Sequence, residues 1–276
     1  MPTKYLIATH PLPGIAASEA ASIVARALRS ADRKLKNEHV LQLPLLDGCE
    51  GTLEHLVTLT LGSFLEVEAT DGAGDQAIVP FGLLGDDNST AFIAMKSVAA
   101  TPRELDTTKK RRKNSGTLST GTTAGIGELM RDALDENART LLLGWEEPLA
   151  RDAGLGIAQA LGVKFFDKDD KQLDLSKWDK ELFSKIHRID GTGRGMEVLM
   201  AKVVLLRSES IRKSAAESQS SLEDSIFESE LTRLAEIVKR DCGKDVAVSK
   251  IILSGSAVEF GLQAFFDCTI EDGGPY

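Results

Sequence analysis

LPLLDGCEGTLEHL, residues Leu43–Leu56, holds the transition that decides the fold. An apolar run stops at a turn containing Asp47, Gly48, Glu50, Gly51 and Thr52. Leu53, Leu56, Val57 and Leu61 follow at helical spacing. They predict a helix with Thr52 as its N-cap and Gly62 as its C-terminal stop. His39–Leu45, just ahead of the turn, reads as a strand. The same pair of elements precedes it. Lys4–Thr9 (KYLIAT) reads as a short buried strand. Ser18 then caps a helix to about Ser30, with Ile23, Val24, Ala27 and Leu28 on one face. Strand, helix, strand, helix predicts a parallel sheet with crossover helices.

Downstream the pattern changes. Phe64–Ala69, Ala77–Phe81 and Ala91–Met95 are short strand candidates separated by the turns DGAGD and GDDNS, an antiparallel or mixed patch. Ala99–Thr120 is polar, basic and loop-like. A helix is expected around Gly127–Leu134, a strand at Arg139–Gly144, a helix at Asp152–Leu161 and a strand at Val163–Phe166. Glu197–Leu206 reads as a last long apolar strand, and Leu222–Asp241 as a helix. The expected fold is α/β. A Rossmann-like parallel sheet occupies residues 1–75. A second, mixed α/β domain occupies 76–276, with a mobile loop at 207–221.

Composition narrows the function classes. The net charge of −9 argues against a general nucleic-acid binder, which needs clustered basic charge. The run Lys109-Lys110-Arg111-Arg112-Lys113 is the exception, and it has no interleaved aromatic residues on which bases could stack. No apolar stretch approaches the roughly 20 residues of a membrane span, and the N-terminus does not read as a signal peptide. Three widely spaced cysteines, Cys49, Cys242 and Cys268, suggest a reducing cytoplasm rather than a disulfide framework. The four histidines are scattered and no Cys-x-x-Cys pair exists, which argues against structural zinc. A hard cation such as magnesium could use Asp47, Glu50 or Asp152, with phosphate oxygens completing its shell. There is no Gly-x-Ser-x-Gly elbow and no Walker A motif. Glycine clusters at Gly121–Glu128, Gly154–Gly156 and Gly191–Gly195 could offer backbone amides to an anion or serve only as turns.

Taken in order, several segments resemble the glycerate kinase family that phosphorylates glycerate at the 2-position. LIATHPLPGIAASEAASIVARALR is followed by LPLLDGCEGTLEHLV, whose Asp47-Gly48-Cys49-Glu50-Gly51-Thr52 is similar to the family's Asp-Gly-Gly-Glu-Gly-Thr. GIGELMRDAL resembles its Gly-Thr-Gly-Glu-Leu helix, and RDAGLGIAQALGVKFFD its Asn-Asp-Gly-Gly-Ala-Gly-Met segment. The likeness implies ATP and magnesium as cofactors and a small hydroxy acid such as glycerate as substrate. It further implies Asp47, Gly48, Glu50, Gly51 and Thr52 on the substrate side, and Asp152, Gly154 and Gly156 on the nucleotide or phosphate side.

Departures accompany it. The family's Asp, Ser and Lys of the first turn fall on His10, Pro11 and Pro13. Glu146-Glu147-Pro148-Leu149-Ala150-Arg151 replaces a small-residue loop, and Val258 and Glu259 replace glycines. A Gly-Glu-Gly-x-x-Asp-x-Gln-Ser motif that would complete the sheet begun by Lys4–Thr9 is absent from these 276 residues. Loss of a lysine and of phosphate-cradling loops implies reduced or lost phosphoryl transfer. The alternative is a non-catalytic pseudo-kinase that binds a small acid or a protein partner. A homo-oligomer whose partner supplies missing elements is left open.

Overall fold

The computed structural model describes residues 4–10, 12, 15–46, 48, 51–85, 87–99, 121–146, 150–178, 181–208, 222–251 and 257–272. Asp47, Cys49, Glu50, Pro11, Pro13, Glu147, the basic run at 109–113 and most of the 207–221 loop lie outside them.

The opening alternation forms as expected. Strand β1 (Tyr5–Thr9) pairs in parallel with β2 (Val40–Pro44), and helix α1 (Ala17–Ala31) crosses between them. Alanines make this crossing close. Ala17, Ala20, Ala21 and Ala25 are buried, and Ala21 and Ala25 meet Ile7 and Val40 in a small core. Ala16, not Ser18, is the N-cap, and Ser18 lies in the first turn. The opposite sheet face is apolar and bare: Leu6, Leu41 and Leu43 are 61%, 65% and 48% exposed.

The second sheet has six strands in the order β10-β9-β6-β5-β4-β3. These are β3 (Ser63–Thr70), β4 (Gln76–Leu84), β5 (Thr90–Ala94), β6 (Thr140–Trp145), β9 (Lys202–Arg207) and β10 (Cys268–Asp272). β3, β4 and β5 are antiparallel neighbours; β5, β6, β9 and β10 are parallel. The chain is therefore α/β, with a parallel pair and a second mixed sheet. The turn at 71–75 is closed by the Asp71 carboxylate, which accepts from the backbone N–H of Ala73 (2.8 Å) and Asp75 (3.0 Å). The division expected after residue 75 coincides with this turn, and the strands on either side of it are hydrogen-bonded partners.

Helices cover both sheet faces. α2 (Thr52–Thr60) sets Leu53 and Val57 against Leu84 and Phe92. α3 is Met95–Ala99, and α4 (Ala124–Asp135) buries Ile126, Leu129, Met130 and Ala133. α5 is Leu155–Ala160, α6 Glu181–Lys185, α7 Met196–Met200, α8 Leu222–Cys242 and α9 Val258–Phe265. A small hairpin of β7 (Lys164–Phe166) and β8 (Arg188–Asp190) packs Phe165 edge-on to Phe265, ring centroids 5.8 Å apart.

Two further sequence expectations are corrected. Glu197–Leu206 is not one strand. Helix α7 fills its first half, Ala201 breaks the run, and β9 starts at Lys202 opposite Thr140. An unbroken apolar run carries no period that separates helix from strand. Thr52 is not the cap of α2. Gly51 is, at φ +85, with no side-chain cap bond.

Candidate functional site

Four parallel strands end at one edge, where open α/β sheets place their ligands. Just past β5 stands Lys96, and just past β6 Glu146. Arg207 ends β9 and Asp272 ends β10. Lys96 Nζ meets Glu146 Oε1 at 3.0 Å. Arg207 holds Glu259 Oε1 at 3.1 Å and Asp272 Oδ1 at 2.8 Å. Glu259, in the first turn of α9, is fully buried. The acids at 146 and 259, which replace small residues of the resembled family, are thus each met by a cation of this chain. Sequence reasoning missed Lys96 and Arg207. The available signal was a basic residue directly after an apolar strand.

The turn quoted first lies on this edge. Gly48 is buried at φ +88, and a Cβ built there would sit 3.2 Å from Leu206 Cβ and 3.3 Å from Gly144 Cα. Only glycine lets the turn rest on the ends of β6 and β9. Gly51 lies against Ala16 at the head of α1, where an added Cβ would be 3.2 Å from Ala16 Cβ. Thr52 is 1% exposed, and its Oγ1 has no hydrogen-bond partner among the described residues. An orphaned buried hydroxyl is uncommon and calls for a ligand or water. A cavity of about 450 Å3 opens between the starts of α1 and α2, lined by Ala16, Ser18, Gly51, Glu54, His55 and Thr58.

The second predicted group is built differently. Asp152 is fully buried and its carboxylate is enclosed by protein donors. Thr123 N–H donates at 2.7 Å, Thr123 Oγ1 at 2.9 Å, Gly154 N–H at 3.0 Å and Gly156 N–H at 3.2 Å. Burial pushes its pKa up to about 6, against the lowering effect of these same bonds. Gly154 and Gly156 do not face open space. Cβ atoms there would lie 2.7 Å from the Val258 carbonyl oxygen and 2.6 Å from Thr122 Oγ1. The loop is a packed joint between α4, α5 and α9. Arg151 is drawn outward to Asp224 and sits 4.8 Å from the Phe227 ring centroid.

Among the described residues no three His, Cys, Asp or Glu side chains converge for a metal ion. Asp152, a candidate magnesium ligand, has both carboxylate oxygens engaged by protein donors. Burial raises the Cys242 thiol and takes that of Cys268 to about 12, so neither is a poised nucleophile. No helix among the described residues is long and apolar enough to cross a membrane.

Comparisons with known proteins agree with this architecture. The model of the glycerate kinase family matches residues 13–206. The glycerate kinase of Haemophilus influenzae is 32% identical over 213 residues, which is 75% of this chain and 54% of that protein. The glycerate 2-kinase of Escherichia coli is 33% identical over 157 residues, 56% of this chain and 39% of its own. The chain thus spans about half, or less, of the length of these relatives. A crystal structure from Salmonella typhimurium LT2, described as a glycerate kinase 2, superposes with a TM-score of 0.71 at 24% identity. It matches 98% of this chain and 72% of that one, a likeness of fold.

Proposed function

The chain belongs to the glycerate kinase family, and from that premise we propose that it binds glycerate beside the 48–52 turn for ATP-dependent phosphorylation at a reduced rate. The observation that carries this reading is the cavity of about 450 Å3 lined by Gly51, in the turn that Gly48 seats on Gly144 and Leu206. That volume lies within the range of small-molecule sites. The uncapped start of α2 and the Ser18 hydroxyl would hold a hydroxy acid. Asp47 and Glu50 would orient the hydroxyl that accepts phosphate. Asp152, Gly154 and Gly156 would fix the joint behind the nucleotide side rather than touch it. Phosphoryl transfer depends mainly on positioning and on cations at the spreading charge. Arg207 and Lys96 are cations at this edge, and each is held by a carboxylate of the chain. That neutralisation supports the reduced rate. ATP supplies the phosphoryl group. Magnesium is the family's expected ion, but the described residues offer no ligand set that fits it.

A second reading, a pseudo-kinase that binds a small acid without turnover, is favoured by the enclosure of Asp152. Thermal denaturation with D-glycerate, with ATP and magnesium, and with both separates the two, because a ligand that binds the native state raises Tm. Kinase function predicts a larger joint shift than either ligand gives alone, and slow product formation in a coupled assay. A shift with glycerate only, and no product, favours the second reading. No shift with any combination sinks both.

A further inference from the structure

The cavity between α1 and α2 contains a side chain that no motif assigns. His55 lies in the first turns of α2, one residue past Glu54, and lines the cavity with Ser18 of α1 and Thr58 of α2. Thr58 Oγ1 donates to the Glu54 carbonyl at 2.7 Å, which leaves its lone pairs to the cavity. The His55 ring and Ser18 Oγ make no hydrogen bond to described residues, and no side chain caps α1 or α2. An imidazole donor, a free hydroxyl and two uncapped helix starts thus surround one space. Imidazole N–H and hydroxyl groups suit a carboxylate, and helix starts favour negative charge. The Glu54 carboxylate on the same rim disfavours a second negative charge.

We infer that His55 is the specificity-determining residue of this cavity, taking the carboxylate of a small monocarboxylic hydroxy acid while Ser18 meets its hydroxyl. The inference rests on the small-acid reading of the site and adds to it the group that recognises the acid. It also sets a preference. A monoanion such as D-glycerate binds, a dianion such as tartronate is disfavoured by Glu54, and uncharged glycerol does not bind.

The test uses the whole chain and two readouts. Calorimetric titration with D-glycerate compares wild type, H55A and H55Q. The ring C–H proton resonance of His55 is followed by NMR as D-glycerate, L-lactate, tartronate and glycerol are added. A charge-assisted hydrogen bond corresponds to about tenfold to hundredfold in affinity. H55A is therefore expected to weaken D-glycerate by at least about tenfold with unchanged ligand-free Tm, and H55Q, which keeps a donor, to weaken it less. Equal affinity in wild type and H55A would overturn the inference and leave the glycerate reading standing. A His55 resonance that responds to L-lactate but not to D-glycerate would keep the inference and remove glycerate as substrate. A resonance that responds to none of the acids overturns the inference. Because that readout is taken on wild type, it decides even where H55A fails to fold.

Discussion

Asp152 is marked by its motif, and its carboxylate is enclosed by protein donors. The sequence marks it, with Gly154 and Gly156, as an anion-side loop, and the structure closes that loop around its carboxylate. Glycine in a sequence shows that space is needed. It does not say whether a ligand or another backbone fills it, and here Val258 and Thr122 do. The raised pKa carries a pH signature. The folded value, about 6, lies above the ordinary 3.8. The contribution of this carboxyl is therefore fully present below about pH 4 and is lost as pH rises toward 6. Asp241, lowered chiefly by its hydrogen bond to Arg240, works in the opposite direction: its contribution exists above the ordinary value and fades in acid. Asp152→Asn turns one acceptor into an amide facing N–H donors and should cost about 2–3 kcal/mol. In urea titrations from pH 4 to 7 the penalty should shrink as pH rises. A penalty that grows with pH would contradict this account. At the other site, Gly48, Gly51 and Thr52 were legible as a turn. The place of His55 in the cavity lining was not legible, because the meeting of α1 with α2 spans a gap in sequence that no local pattern covers.

Elements were legible where a period existed. α1, α2, α4 and α8 have amphipathic spacing, and β3 to β5 are bounded by turn residues, so their existence followed from pattern. α7 and β9 share one apolar run and were joined in error. β10 and α9 were not seen, since their burial comes from distant partners, Val203 and Ala153 among them. The link from α2 to β3 shows a constraint hidden from pattern. The left-handed residue is Leu61, at φ +54, not the glycine expected to stop the helix. Gly62 serves close approach instead: a Cβ there would lie 2.0 Å from the Leu83 carbonyl oxygen on β4. Gly62→Ala must push α2 off β4 or shift the strand, and a loss of about 2 kcal/mol or more is expected. Gly243→Ala is the control, since no atom lies within 4 Å of its added Cβ and only its φ of +70 resists. Chemical denaturation of the two variants checks this. Equal losses would show that the approach to β4 costs no more than the left-handed strain at Gly243.

At the scale of the molecule the two sheets are unequal. The six-stranded sheet shares one large core that includes Phe81, Leu141, Trp145 and Phe260. β1, α1 and β2 rest on Ile7, Ala21, Ala25 and Val40. A parallel pair is normally buried on both faces, and a core this small supports little local stability. Amides of β1 and β2 should therefore exchange with deuterium well before those of β6 and β9, measurable by mass spectrometry of peptides. Matching protection in both sheets would show that the small unit is held from elsewhere. The alternation of strand and helix made the β1–β2 pairing legible. The order of the larger sheet was not, because β5, β6 and β9 become neighbours only across long intervening segments. The bare face of Leu6, Leu41 and Leu43 has a practical corollary at the bench. Sulfate and similar ions are excluded from protein surface and sharpen the penalty on wet hydrocarbon. In a salting-out series this corner should add to the other exposed apolar side chains, such as Leu61 and Ile78, in lowering the sulfate concentration at which the protein leaves solution.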